Sequence, residues 1–72
     1  MIKEHASVLA TKDLSERVLL GCMGVVVFVF SSPKLAYEVE FFDRDGHALE
    51  VITAKPSEVE LIHPDNDISF LA

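Results

Sequence analysis

Seventy-two residues confine the chain to one domain, near the lower limit for folding on a single hydrophobic core. Half of the residues are hydrophobic and a quarter are charged, which excludes a disordered chain. A net charge of −6 disfavours nucleic acid and anionic lipid as partners, and the single cysteine, Cys22, excludes an intramolecular disulfide.

Helix signals are nearly absent, because no window sustains an i, i+3, i+4 apolar pattern with caps. Strand signals recur at short intervals instead. "HASVLA", His5 to Ala10, predicts a short first strand with Val8 in the core. "TKDLSERVLLG", Thr11 to Gly21, is a long polar excursion in which Leu14 and Leu19 or Leu20 are expected to fold inward. Gly24 to Phe30 passes without a polar side chain, and its valines and phenylalanines favour a second strand over a helix.

The uncharged stretch Val18 to Phe30 is too short for a membrane-spanning helix, which needs about 20 apolar residues. "LLGC" has the look of a lipoprotein box, but most of the apolar core follows the cysteine rather than preceding it. Asp13 and Glu16 stand where an export signal wants positive charge. A cytoplasmic protein is expected, and a lone thiol agrees with a reducing compartment.

"SSPK" ends the second strand, since Pro33 has no amide to donate and favours a turn. "LAYEVEFF", Leu35 to Phe42, alternates cleanly, with Tyr37, Val39 and Phe41 on one face and Glu38 and Glu40 on the other. "DRDG" is a tight turn in which Gly46 can take positive φ. "HALEVIT", His47 to Thr53, is the fourth strand, with Leu49 and Val51 sharing a face. "KPSEV" supplies one helical turn with Pro56 in its first position, and "VELIH", Val59 to His63, the fifth strand. The expected fold is all-β: a small five-stranded SH3-like barrel over residues 1–63, with a single 3-10 turn before the last strand. Residues 64–72, "PDNDISFLA", form a tail of carboxylates and apolar side chains. An OB-fold is the main rival, but it needs a longer chain and a helix between strands three and four.

"KEHASVLATKDLSE", "GCMGVVVFVF", "AYEVEFFDRDGHALEVIT" and "PSEVELI" together resemble a family of small bacterial proteins known only as a domain of unknown function. Its pattern runs D-x-V-x-L-T-x-D-L-P-E, then G-D-x-G-T-V-V, then A-Y-E-V-E-F and D-G. The similarity covers Met1 to Ile62 and is most specific over Ala36 to Phe41. It implies an SH3-like barrel and supplies no activity, cofactor or catalytic residue. Ser15 stands for the family's usual proline, and Cys22 and Val25 for its aspartate and threonine, which makes this loop and strand more apolar. Gly21 and Gly24 echo the glycine–valine turn of ribosome-associated KOW modules at the level of fold alone.

Chemistry-bearing constellations are sparse. Cys22 between glycines would need a nearby histidine to serve as a nucleophile, and His5, His47 and His63 are spread along the chain. The histidines with Asp65 and Asp67 lack the paired spacing of a zinc site. "DRDG" resembles the start of a calcium loop without its third acidic position or distal glutamate. Glu38 and Glu40, which Glu50 of the next strand would join, read as an exposed acidic face. No enzymatic activity, cofactor or metal site is expected.

Two function classes remain. The first is a self-associating interaction module that binds itself, and a basic protein partner, in an immunity, antitoxin or adaptor-like role. The second is a nucleic-acid-associated KOW-like barrel, which clustering of Lys12, Arg17, Lys34 and Arg44 on one rim would favour. The short Ser31–Lys34 connection favours pairing of Val29 with Tyr37, Val27 with Val39 and Val25 with Phe41, over a register slipped by one that would swap the inward and outward sets. Val26, Phe28 and Phe30 then point outward near Phe42, and these four residues are the expected interface of a homo-oligomer, a dimer in the simplest case.

Overall fold

The computed structural model describes residues 2–62. The strands are β1 (Ser7–Ala10), β2 (Met23–Phe30), β3 (Ala36–Phe42), β4 (Ala48–Ala54) and β5 (Val59–Leu61), with a 3-10 turn at Pro56–Glu58 before β5. They form one antiparallel sheet in the order β4-β3-β2-β1-β5. The fold is all-β, as the alternating pattern predicts. β4 and β5 are the outer strands and do not pair with each other, so the sheet is open where a closed barrel would join them. His63 and the tail 64–72 lie outside the described residues.

One face of the sheet makes the core. Val8 and Ala10 of β1, Val26 of β2, Tyr37, Val39 and Phe41 of β3, Ala54 of β4 and Val59 of β5 are all buried. The period of two along β3 puts its three large side chains on this face, as "AYEVEFF" predicts. Gly24 also faces inward, where a Cβ would stand 2.6 Å from Val39 Cγ1 and 2.8 Å from Phe41 Cδ1. Only a residue without a side chain lets β2 approach β3 this closely. The "DRDG" turn closes with Gly46 at φ +86, as expected for the residue that must enter the left-handed region.

The long excursion after β1 folds differently from expectation. Val18 is its fully buried residue, Leu14 packs at the core's margin, and Leu19 and Leu20 are exposed. Local hydrogen bonds make the choice. Leu14 N–H donates to the Val18 carbonyl at 2.8 Å, and the Ser15 hydroxyl accepts from Val18 N–H at 3.0 Å. The segment therefore wraps around Val18, while the Asp13 carboxylate takes Leu20 N–H at 2.8 Å and holds the two leucines on the rim. The same hydroxyl donates to Glu50 at 2.7 Å, tying the loop to β4.

The β2–β3 register also departs from expectation in one half. Val29 pairs with Tyr37 as predicted, but a bulge between Val26 and Phe28 shifts the remainder. Val26 faces Val39, Val25 faces Glu40 and Gly24 faces Phe41. The residues before β1 enforce this arrangement. Val26 N–H donates to the Ala6 carbonyl at 3.0 Å and the Val26 carbonyl accepts from His5 N–H, so Val26 is held on both sides. An extra residue, Val27, absorbs the mismatch. Leu49 and Val51 are separated in the same way. A second irregularity at Phe41/Phe42 leaves Leu49 against the core and Val51 exposed.

Candidate functional site

Two apolar surfaces remain once the core is accounted for, and they lie at opposite ends of β2. At its C-terminal end, Val27, Phe28 and Phe30 are exposed at 41, 49 and 40%. Phe28 and Phe30 are neighbours on one face, with ring centroids 4.8 Å apart in an edge-to-face arrangement. Glu38 of β3 lies opposite Phe28, Glu40 lies opposite Val25, and beyond Glu40 stands Val51 of β4. Glu38 accepts a hydrogen bond from the Thr53 hydroxyl. Glu50 does not join the acidic pair, because it lies opposite Phe41 and bonds to Ser15.

The four residues expected to form one interface are divided by the structure. Phe28 and Phe30 come together at the surface. Val26 does not, because the bulge turns it into the core, where it is fully buried. Val27 takes its place outside. Phe42 is half-buried and pairs with Met23 at the other end of β2.

That other end carries the second surface. Leu9, Met23 and Phe42 make one apolar row across β1, β2 and β3. Leu19 and Leu20 and residues of the Asp43–Gly46 hairpin turn line the space over this row. Together they enclose an open groove of about 780 Å³ with Arg17 and Arg44 on its margins. Sequence reasoning misses this groove, since its walls come from three separate segments. The available signal is the adjacent pair Leu19–Leu20 in an otherwise polar loop.

Cys22 also lines the groove, and its thiol donates to the Phe42 carbonyl at 3.3 Å. Burial pushes this thiol above its ordinary pKa, and the charge of Asp43 acts in the same direction. The protonated thiol is thereby favoured over the thiolate. His5 precedes β1 while His47 follows the β3–β4 turn, so no histidine–thiol pair forms among the described residues.

Asp43, Asp45 and His47 bring one ligand atom each within 4.8 Å, all on exposed side chains. Their geometry is that of a turn. The Asp43 carboxylate accepts backbone N–H bonds from Asp45 and His47, each at 2.9 Å, and its second oxygen lies 3.5 Å from His47 Nδ1. The bond from His47 N–H is the main reason that Asp43 lies below the usual carboxylate range.

The basic residues do not share one rim. Arg17 and Arg44 meet at the groove, whereas Lys34 sits in the β2–β3 connection, the full length of β3 away from Arg44. No helix among the described residues is long and apolar enough to cross a membrane.

Comparison with known proteins adds one match. No curated protein and no solved structure matches the chain. A family model described as a domain of unknown function matches residues 4–61, from the turn that precedes β1 to the last residue of β5. The span takes in all five strands, both walls of the groove and the Phe28–Phe30 surface, and by it the chain belongs to the family Domain of unknown function (DUF4926).

Proposed function

We propose that this protein is a non-enzymatic, cytoplasmic interaction module that self-associates through the C-terminal half of β2. The strand order β4-β3-β2-β1-β5 supports an SH3-like reading of the fold. The observation that carries the function is the exposed Phe28–Phe30 pair, placed where β2 has no strand beside it except β3. β1 pairs only with Met23–Val25, so from Val27 onward the other edge of β2 is without a strand among the described residues. An apolar pair on an open edge favours a second copy of the same surface, combining strand pairing with burial of aromatic rings. Each such side chain contributes roughly 1.5–3 kcal/mol when buried, enough in sum to offset part of the cost of association. Glu38 and Glu40 beside the stripe would disfavour acidic partners and attract a basic one.

The nucleic-acid reading draws support only from Arg17 and Arg44, which stand in an acidic chain and apart from Lys34. Sedimentation velocity decides the proposal. Wild-type protein at tens of micromolar should sediment as a dimer, and Phe28→Glu as a folded monomer. A monomeric wild type overturns self-association. Submicromolar binding of single-stranded RNA at physiological salt would favour the second reading.

A further inference from the structure

The groove at the N-terminal end of β2 is separate from the proposed self-association surface and has its own chemistry. Its floor is the row Leu9, Met23 and Phe42, and its margins carry Arg17 and Arg44. Neither arginine makes an ion pair among the described residues, and both are exposed. An occupant must therefore offer large apolar groups and carboxylates within a short length.

One segment of this chain has that composition. Residues 64–72 read "PDNDISFLA", with Asp65 and Asp67 ahead of Ile68, Phe70 and Leu71. Reach and direction agree. Ile62 N–H bonds to the Ser7 carbonyl at 2.9 Å, and Ser7 is two residues from Leu9 on the groove floor. Ten residues after Ile62 span up to about 33 Å, several times that step. β5 runs away from the groove, so the chain must reverse, and Pro64, Asp65 and Asn66 are turn-forming residues placed directly after it. The chain carries twice as many acidic as basic residues, so carboxylates are repelled from most of its surface. Two arginines beside an apolar floor are a place where that repulsion reverses. We propose that the groove is the docking site of the chain's own segment 64–72, with its apolar side chains on the floor and its aspartates against Arg17 and Arg44.

Cys22 lies in the groove and reports on its cover. The experiment measures the rate of Cys22 alkylation by iodoacetamide in the full chain, over a range of pH, protein concentration and salt. Replacing Phe70 and Leu71 by Ser should raise the rate at least about threefold, the change expected if the segment covers the thiol two thirds of the time. Arg17→Asp with Arg44→Asp should do the same. Adding Asp65→Arg and Asp67→Arg to that pair should restore protection, which a merely unfolded variant cannot show. High salt should speed the wild type towards the variants. Equal rates in all variants would overturn the proposal. So would protection that grows with protein concentration, which would assign the groove to a second copy. Sedimentation of the same samples separates this result from any failure of self-association at Phe28.

Discussion

The two halves of β2 are both without a polar side chain and have opposite fates. Met23 to Val26 runs between β3 and the stretch from His5 through β1, so its inward residues, Gly24 and Val26, are sealed in the core. Val27 to Phe30 has β3 on one side only, and three of its four side chains are exposed. The bulge at Val27 marks the change from one regime to the other. An apolar residue thus contributes to folding stability where it faces the core between two flanking segments, and offers surface where one flank is open. Apolar character alone does not distinguish core from contact surface; the face of the sheet and the flanking backbone do, since Met23 has a strand on each side and is exposed on the outer face.

The sharpest way to break this comparison is to place the same charge in each half. Val26→Asp buries an unpaired carboxylate in the fully closed core. Its cost should exceed the roughly 3–5 kcal/mol that a core of this size supplies. The variant should be unfolded by circular dichroism at room temperature. Phe28→Asp, two residues away, should change the unfolding free energy of the monomer by no more than about 0.5 kcal/mol. Equal loss of structure in both would mean that the bulge is misplaced.

A smaller effect is expected from the tight approach of β2 to β3. Gly24→Ala places a methyl group against Val39, Phe41 and the Glu40 carbonyl. Overpacking of this kind costs about 1–3 kcal/mol, to be read from the midpoint of urea unfolding. Gly46→Val should cost about 1–2 kcal/mol for a different reason, because a β-branched residue is strained at φ +86 although nothing stands within 4 Å of its Cβ. If Gly46→Val proves the worse of the two, turn conformation outweighs packing in this domain.

The smallest effect concerns pH. Asp43 is lowered in the folded state, chiefly by the bond from His47 N–H. A lowered carboxylate contributes stability above its unfolded value, near about 3.9, and loses it as pH falls through the folded value. The gap in melting temperature between wild type and Asp43→Ala should therefore be constant near neutral pH and narrow below about pH 4. A gap that persists at pH 2 would show that the ionised form contributes nothing to the turn.

Much of the architecture is legible in the sequence because its causes are local. The alternation of "AYEVEFF" puts Tyr37, Val39 and Phe41 on one face whatever lies beside them, since a strand repeats every two residues. "DRDG" closes a turn through its own backbone, and Pro56 opens the single helical turn before β5. Phe28 and Phe30 are legible as exposed for the same reason of parity. What only the tertiary structure decided depends on groups far apart in the chain. Val26 enters the core because His5 and Ala6 bond to it from outside the strand, and no alternation within "VVVFVF" reports that contact. Val18 is chosen over Leu19 and Leu20 by the hydrogen bonds that Leu14 and Ser15 make with Val18 and that Asp13 accepts from Leu20 N–H, which compete with hydrophobicity and prevail. The groove arises where Leu9, the 17–23 segment and the Asp43–Gly46 turn converge, so its walls meet only after the sheet has paired β1 with β2 and β2 with β3. Periodicity is a property of each strand, whereas register, bulge and groove are properties of pairs of strands.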